Sequence, residues 1–269
     1  MSPLWNIDLF AYITLFEEEI YDYLFLFFLF LAAITFPLLL VVDAPYGKLF
    51  SSSWGPTVRT DIGWIIQEAP AFFLFLWFAL KGSSRLKEPS YMLLSSMFLG
   101  HYLQRAFIFP LLMKTPGKPT SLIVVLSAFG WNVINGYLVG RGLFHFEAKL
   151  SRDWYQSPIF IAGALCWLCG FVINLHSDHI LRNLRKPGEK GYKIPHGGLF
   201  RWVSCANYFG EMVEWSGWAL ASQSLAGALF VFWTVANLLP RAIRYHQWYI
   251  QKFSSYVTLN RKACIPFLI

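Results

Sequence analysis

Seven apolar segments, each close to the length that crosses a lipid bilayer, constrain this chain more than any other feature of its sequence. They extend over residues 23–42, 62–80, 91–113, 122–139, 159–176, 203–221 and 225–243. A chain that is 56% hydrophobic and 14% charged is far from the composition of an ordinary soluble domain. Since no alternating segments of barrel type recur, we predict an all-α, polytopic integral membrane protein with seven transmembrane helices, forming a single domain over residues 1–269.

Positive charges are distributed unevenly between the connecting segments. With the N-terminus outside, fifteen Lys and Arg residues fall on inner loops and the tail, residues 244–269, and six on outer loops. The positive-inside rule therefore predicts an outer N-terminus and a cytoplasmic C-terminus. The net charge of +7 then indicates topology and not nucleic-acid binding. The N-terminal arm, residues 1–19, is acidic and lacks the basic start of a signal peptide.

The four cysteines are predicted to be reduced packing residues. Cys166 and Cys169 form a C-x-x-C pattern inside an apolar segment, and Cys205 and Cys264 are isolated in the sequence. A zinc site needs more ligands at matched spacing, and a redox pair needs a polar setting. We therefore expect no metal.

A basic segment, residues 174–202, directly follows the fifth apolar run. On a helix, Asn174, Asp178, Arg182 and Arg185 fall at intervals of four, four and three, which predicts one polar stripe ending at residues 186–188. Such a stripe offers acceptors for hydroxyl groups and guanidinium donors for phosphates, as a nucleotide requires. The alternative is a solvated helix end that carries positive-inside charges.

Polar side chains interrupt the second and third apolar runs. Gln67 and Glu68 lie in one, and His101, Tyr102 and Arg105 lie within about one turn of the other. Ionisable residues inside a span normally face the bundle interior and mark function. The alternative for Glu68 is a structural ion pair with an arginine. A buried Arg105 in turn requires an acid close by, either Glu68 or another.

Asn132 and Asn135 in the fourth run precede Gly136 and Gly140, a spacing that we interpret as a tight helix contact. The amides are expected to join this helix to a neighbouring helix and not to bind a ligand.

The sixth run places Asn207, Glu211 and Glu214 on one helical face. The negative charges of Glu211 and Glu214 must be balanced by a ligand or by cations from the inner loops. Arg241 ends the seventh run, and residues 244–249, including His246 and Tyr249, form a basic and aromatic stretch. An ordinary interfacial belt is the alternative reading of that stretch.

Taken together, these motifs resemble those of the membrane steroid 5α-reductases. The resemblance is carried by W-x-x-Q-E-x-P at 64–70, H-Y-x-x-R at 101–105, N-x-H-S-D-x-I-L-R-x-L-R-K-P-G-E at 174–189, I-P-x-G-G-L-F at 194–200, N-x-x-G-E-x-x-E-W at 207–215 and R-K-A-x-I-P-F at 261–267. The resemblance covers most of the chain from about residue 45 onward. The chain resembles a bacterial-type homologue of the human type 2 enzyme.

The resemblance implies a seven-span, NADPH-dependent reductase that saturates the 4,5 double bond of a 3-oxo steroid. Stripe and resemblance together predict that the cofactor is held by Tyr46, Asn174, Asp178, Arg182, Arg185, Asn207, Glu211, Arg241, His246 and Tyr249. The predicted substrate-binding residues are Gln67, Glu68, Tyr102 and Arg105, of which Glu68 and Tyr102 are expected to be catalytic. The implied partners are the steroid or another lipid enone and the bilayer, with no nucleic acid and no obligate protein partner.

The sequence departs from the family pattern at two places. A family arginine near the substrate aligns with Ser127, and the His-rich run after the seventh span reads Arg244-Tyr-His-Gln. Both departures concern the expected steroid pocket more than the cofactor site.

The chemistry of enone reduction fits these residues. Hydride can reach the β-carbon only if a donor stabilises the charge that develops on the carbonyl oxygen, and Tyr102 supplies such a donor. Glu68 is expected to orient the phenol, and the α-carbon proton comes either from Tyr102 or from water. The alternatives are another enone, enoyl or polyprenol reductase, an S-adenosylmethionine-dependent membrane methyltransferase, and a non-enzymatic lipid carrier or channel.

Overall fold

The computed structural model describes residues 9–42, 47–114, 117–147, 149–186, 189 and 191–269. Its helices are α1 (Leu9–Val41), α2 (Thr60–Lys81), α3 (Ser83–Leu86), α4 (Pro89–Leu103), α5 (Phe109–Leu111), α6 (Leu122–Arg141), α7 (Pro158–Arg182), α8 (Ala206–Ser222) and α9 (Leu225–Lys252). π-Helical turns, Gln104–Ile108 and Gly142–Phe146, continue α4 and α6. Short 3-10 segments are Gly47–Leu49, Ser52–Trp54, Trp154–Gln156, Gly198–Arg201 and Ser254–Leu259. The all-α prediction is confirmed.

Within the described residues, five helices are long and apolar enough to cross a membrane, namely α1, α2, α6 with its π turn, α7 and α9. The other two predicted spans form shorter helices. The regular α-helical part of α4 has 15 residues before the chain continues as a π turn, and α8 has 17 residues and carries two glutamates. The count of seven spans therefore stays a prediction.

The outward faces of these helices are apolar, as a lipid environment requires. Phe73 and Trp77 on α2 and Leu165, Leu168 and Val172 on α7 are all exposed. Contiguous exposed apolar surface of this kind is rare on soluble proteins. Together with the lengths of the helices, it is consistent with a membrane protein.

Glycines bring α7 and α8 into close contact. Gly163 and Gly170 on α7 face Gly217 and Gly210 on α8, and a Cβ atom added to Gly170 would lie 2.2 Å from the backbone nitrogen of Glu214. No larger residue fits there without separation of the backbones. The polar residues that follow on both helices are consequently held face to face.

The glycine contact predicted on α6 is confirmed, and its partner is α2. A Cβ atom on Gly136 would lie 3.0 Å from the Cα of Ala71, and one on Gly140 would lie 3.0 Å from the Phe78 ring. A short antiparallel ladder, β1 (Thr57–Arg59) with β2 (Pro119–Ser121), joins the starts of the same two helices. Strands this short carry no readable sequence pattern, so they were not expected.

Helix α1 is fastened to the bundle at two levels. Near one end, the Arg141 guanidinium donates to both carboxylate oxygens of Glu17, with Nε at 2.7 Å. Deeper in the bundle, the Phe28 ring packs against Trp131 of α6 and Trp233 of α9, with centroids 4.5 and 6.1 Å apart. This placement makes α1 one wall of the cavity described below.

Helix α7 ends at Arg182, so Arg185 does not belong to the helical stripe, and that part of the prediction is wrong. Asn183 is the C-cap residue, and its side-chain amide donates to the His179 carbonyl at 2.9 Å. The Asn183 side chain thereby satisfies a terminal carbonyl and lets the chain leave the helix.

The C-terminal tail folds back onto the start of α8. Val203 and Lys262 form a parallel bridge, and the Arg261 guanidinium donates to the Pro195 carbonyl at 2.8 Å. Cys205 and Cys264, distant in sequence, lie in one buried cluster. All four cysteines are free thiols, as predicted, but Cys169 is exposed and is not the packing residue that was expected.

Candidate functional site

One cavity of about 1320 Å³ is lined by residues from several helices of the described part of the bundle. Its apolar walls include Phe27, Phe28, Leu31, Val124, Trp131, Phe230 and Trp233. Its polar walls include Gln67, Glu68, His101, Tyr102, Arg105, Asp178, Arg182, Arg185, Asn207, Glu211, Arg241 and Tyr249. Both the predicted substrate residues and most predicted cofactor residues therefore border one space.

Tyr102 lies at the centre of a buried amide pair. Its side chain is 2% exposed, its hydroxyl donates to Asn132 Oδ1 at 3.2 Å, and the hydroxyl oxygen accepts from Asn135 Nδ2 at 3.2 Å. Two amides from α6 thus define where the phenol proton points. The prediction that these amides join helices is confirmed, since both bond to Tyr102 on α4, and Asn132 also borders the cavity.

Asn132 also contacts Glu68. Its Nδ2 donates to the Gln67 carbonyl at 2.7 Å and approaches Glu68 Oε2 at 3.4 Å, while Gln67 Nε2 donates to Glu68 Oε1 at 3.0 Å. Glu68 and Tyr102 are therefore connected through Asn132. The signal available in the sequence was a pair of amides inside an apolar span, which normally face the bundle interior.

Arg105 is paired with acids on other helices, as expected. Its guanidinium donates to Asp178 Oδ2 at 2.9 Å and lies 3.5 Å from Glu211 Oε2. It also lies over the Trp64 ring, with 4.7 Å to the centroid. An aromatic face and two carboxylates together compensate a cation that is only 7% exposed.

The α7 and α8 polar residues form one cluster. Asn174 Nδ2 donates to the Asn207 carbonyl at 3.1 Å and approaches Glu211 Oε2 at 3.4 Å. Asn174 is buried behind this cluster and does not itself border the cavity among the described residues. The prediction that these residues meet is thus supported, with Asn174 in a supporting position.

Glu214 is paired with His101, whose Nδ1 lies 2.7 Å from its Oε1. The carboxylates of α8 were expected to meet a ligand or inner-loop cations. Both carboxylates meet basic residues of the third predicted span: Glu214 meets His101 on α4, and Glu211 meets Arg105 in the π turn that follows α4. The partners among the described residues are therefore side chains of the third predicted span and not inner-loop cations, because α8 packs beside α4 inside the bundle, while Glu211 also borders the cavity.

One end of the cavity is strongly basic. Arg182, Arg185, Lys186, Lys193, Arg241, Lys114 and Lys118 all border it. Burial, reinforced by the neighbouring Arg185 charge, lowers the pKa of Lys118. Lys193 pairs with Glu189, and this contact lowers the pKa of the Glu189 carboxyl. The cluster of cations provides donors for an anionic ligand.

The aromatic stretch of α9 contributes unequally to the site. Tyr249 borders the cavity and stacks on Tyr256, with ring centroids 4.9 Å apart. His246 lies behind the wall, with its Nδ1 2.6 Å from Ser204 Oγ. Tyr46 lies outside the described residues, so its predicted role stays a prediction. Gly47, which follows it, borders the cavity.

The model of the 3-oxo-5-alpha-steroid 4-dehydrogenase family matches residues 118–269, more than half of the chain. The chain belongs to this family. It is 48% identical to 3-oxo-5-alpha-steroid 4-dehydrogenase 1 of Mus musculus, over 89% of this chain and 93% of the relative. It is 46% identical to the enzyme of the same name from Homo sapiens, over 84% and 86%. It is also 38% identical to steroid 5-alpha-reductase DET2 of Gossypium hirsutum, over 94% and 98%.

The family predicted from the motifs is therefore confirmed. In this family member, Ser127 borders the cavity and its hydroxyl donates to the Ile123 carbonyl of its own helix at 2.7 Å. The serine thus adds no charge to the pocket at the position where a family arginine was expected.

Proposed function

We propose that the protein reduces the 4,5 double bond of a 3-oxo-Δ4-steroid to the 5α-dihydro product, with NADPH as cofactor. The observation that carries this proposal is the single cavity in which a phenol held by two amides lies at one part and a cluster of arginines at another. The names of the relatives refer to the same substrate class.

The apolar part of the cavity suits a rigid, flat lipid. Trp131 and Trp233 stack with ring centroids 3.9 Å apart and an interplanar angle of 10°, and together they form a flat slab. Phe28 and Phe230 extend this wall, with centroids 4.5 and 6.3 Å from Trp131. Flat aromatic walls bury a fused ring system with little loss of side-chain entropy, which favours a sterol skeleton.

The donor set at the basic part fits a phosphorylated dinucleotide. Arg182, Arg185 and Arg241 would hold its phosphates, because guanidinium groups bind phosphate oxygens bidentately. Asn207 and Glu211 would hold hydroxyl groups of a ribose. When bound, NADPH supplies the hydride that the reduction consumes.

Tyr102 would polarise the 3-oxo group. Its hydroxyl donates to the side-chain oxygen Oδ1 of Asn132, and we propose that the substrate carbonyl replaces that acceptor on binding. Asn135 donates to the phenol oxygen, so the hydroxyl proton points away from Asn135 and toward the acceptor position that the substrate carbonyl would take. Such a preorganised donor stabilises the charge that develops on the oxygen as the double bond is reduced.

Glu68 would fix this arrangement from α2. It contacts Asn132, which in turn contacts Tyr102, so a change at Glu68 is transmitted to the phenol. Gln67 donates to the other oxygen of Glu68 and holds its orientation. Arg105 is assigned to positioning, because its charge is already used by Asp178 and Glu211.

The proposed orientation places the N-terminus outside and the C-terminus, with the basic end of the cavity, in the cytoplasm. Five helices in the described part are long and apolar enough for membrane insertion. A cytoplasmic mouth gives direct access to the soluble nucleotide pool, whereas a lipid substrate is available from the bilayer.

The deciding experiment incubates purified protein in detergent or nanodiscs with NADPH and testosterone or progesterone and identifies the product by mass spectrometry. The expected result is a product heavier by two hydrogens, with 5α stereochemistry established by chromatography against standards. Turnover of an enoyl or polyprenol substrate alone would instead favour a related reductase. Methylated product with S-adenosylmethionine, or no turnover with any enone, would contradict the proposal.

A further inference from the structure

His101 and Glu214 form a buried acid–base pair that the proposed polarisation of the carbonyl does not use. The His101 Nδ1 and Glu214 Oε1 atoms are 2.7 Å apart, and the residues are 3% and 0% exposed. The second carboxylate oxygen, Oε2, is buried without a hydrogen-bond partner among the described residues. A carboxylate confined in this way depends on the imidazole for its compensation.

The pair lies beside the proposed reaction centre. His101 borders the cavity, and its ring contacts Tyr102 edge to face with centroids 5.1 Å apart. Trp215 packs against the imidazole with a centroid distance of 4.5 Å and restricts its rotation. Because Nδ1 is occupied by Glu214, Nε2 is the nitrogen that remains for the cavity.

This geometry keeps its hydrogen bond in two protonation states. Nδ1–H can donate to the carboxylate whether or not Nε2 carries a second proton, so the ring can give up the Nε2 proton without rearrangement. A carboxylate behind an imidazole performs the same orienting role in hydrolytic triads. The pair therefore has the chemistry of a general acid and not only that of a structural contact.

Reduction of an enone consumes one proton in addition to the hydride, and the proposed donor at the oxygen cannot also supply the carbon. The Tyr102 hydroxyl is directed at the 3-oxo oxygen, which is two bonds away from C4. Its own oxygen is held by Asn135, which limits its travel. Glu68 is likewise held by Gln67 and Asn132.

We propose that His101, held by Glu214, is the general acid that delivers the proton to C4 of the substrate. The inference rests on the proposed function and identifies the source of the C4 proton, which the carbonyl-polarising residues do not supply. His101 acts on the reacting carbon, and Glu214 is a positioning residue that acts through it.

The proton and electron balance is complete. After hydride has reached C5, the electron pair of the former double bond is shared between C4 and the carbonyl oxygen. The C4–H bond forms from this pair as the Nε2–H bond of the imidazolium breaks. The nitrogen keeps the N–H electron pair, the ring becomes neutral, and the second proton stays on Nδ1, where it donates to the Glu214 carboxylate. A proton from water in the cavity restores the imidazolium.

The test compares His101→Gln and Glu214→Gln with wild type, and with Ser95→Ala as a matched control. Glutamine at 101 keeps a polar group for Glu214 but has no transferable proton. Ser95 is a buried polar residue on the same helix that does not border the cavity. The measurements are kcat and KM for testosterone, the solvent deuterium isotope effect on kcat, NADPH affinity and the unfolding midpoint in detergent.

We expect His101→Gln to lower kcat by about 10² or more, the usual contribution of a general acid, and to raise the solvent isotope effect because protonation becomes rate-limiting. NADPH affinity should stay at the wild-type level. Glu214→Gln should likewise lower kcat and raise the solvent isotope effect. Ser95→Ala should leave kcat and the isotope effect unchanged.

Two results would overturn the inference. The first is wild-type kcat in His101→Gln. The second is a loss of kcat with an unchanged isotope effect and weakened NADPH binding, which indicates a purely structural pair. Failure of the proposed function is seen separately, because wild type would then reduce no 3-oxo-Δ4-steroid.

Discussion

The Arg105 guanidinium donates to Asp178 Oδ2 at 2.9 Å, so a residue from the proposed substrate side is paired with one from the proposed cofactor side. Arg105 also lies 3.5 Å from Glu211, and all three residues border the same cavity. This ion-pair cluster therefore lies between the two proposed binding regions. A substitution in this ion-pair cluster should therefore affect both substrate binding and cofactor binding.

Removal of the Arg105 charge is expected to destabilise the protein and weaken nucleotide binding together. Arg105→Gln would leave the buried Asp178 carboxylate without its cation, beside the half-buried Glu211, and loss of one member of a buried pair costs about 3 to 5 kcal/mol. The measurements are the unfolding midpoint in detergent and the NADPH dissociation constant. Arg59→Gln is the matched control, because the Arg59–Asp61 pair has an exposed arginine. Equal midpoints for the two variants would contradict this account.

Tyr102→Phe removes the proposed donor to the carbonyl and little else. By analogy with other oxyanion donors, kcat should fall by about 10² to 10³ while NADPH affinity is unchanged. Tyr137→Phe is the control, since Tyr137 is also a phenol on the bundle interior but does not border the cavity. Turnover close to wild type in Tyr102→Phe would mean that the carbonyl is polarised by another group.

Glu68 and Tyr102 should behave as one unit, because Asn132 contacts both. Glu68→Gln is expected to lower kcat severely, and the double variant with Tyr102→Phe should be little worse than either single variant. Asn132→Leu removes the connecting amide and should reproduce most of the loss. The check is a double-mutant cycle in kcat/KM. Fully multiplicative losses would show that the two residues act independently.

NADPH should bind more tightly than NADH, because Arg185 and its basic neighbours can bind a 2′-phosphate. Arg185→Ala removes one charge-assisted contact worth about 1.5 to 3 kcal/mol, so its affinity for NADPH should fall by roughly tenfold or more. Arg201→Ala is the control, as Arg201 is exposed and does not border the cavity. Equal wild-type affinities for the two nucleotides would refute the cofactor preference.

Reporter fusions should establish an outer N-terminus and a cytoplasmic C-terminus. A green fluorescent fusion after residue 269 is expected to fluoresce, and an alkaline phosphatase inserted in the α8–α9 turn at residues 223–224 should be active. The physical reason is the excess of positive charge on the inner segments. Phosphatase activity from the C-terminal fusion would reverse the arrangement.

Glu147 gives stability a defined pH dependence. It lies between α6 and α9, its Oε1 accepts from the Ala226 amide at 2.9 Å, and burial raises the pKa of its carboxyl above the ordinary value of 4.5. The folded protein therefore keeps this proton at a pH where the unfolded chain has lost it. The stabilisation is complete below the ordinary pKa and declines as the pH rises through the interval up to the raised value.

Glu147→Gln keeps a carbonyl oxygen for the Ala226 amide but carries no charge. Its unfolding midpoint should exceed that of wild type at about pH 8, and the decline of the midpoint above about pH 5 should become shallower. The exposed Glu18→Gln serves as the control. A lower midpoint in Glu147→Gln at both pH values would show that the charge itself is stabilising.

The amino-acid sequence alone determined the helical membrane class and the family, and most of the site residues that it predicted border the cavity. Hydrophobic length is a local property, so five of the predicted spans could be located directly. The motifs around Glu68, Tyr102 and Asp178 are local as well. Where local capping competed with periodicity, as at Asn183, the sequence predicted too long a helix.

Only the tertiary structure decided which polar residues meet. The sequence left open which acid pairs with Arg105, and the fold supplies Asp178 and Glu211, and pairs His101 with Glu214. It likewise placed Asn132 between Glu68 and Tyr102. The physical reason is that an ion pair between helices depends on their rotation and depth. These are set by close backbone contacts such as Gly170 with α8 and Gly136 with α2, which no periodicity within one helix can express.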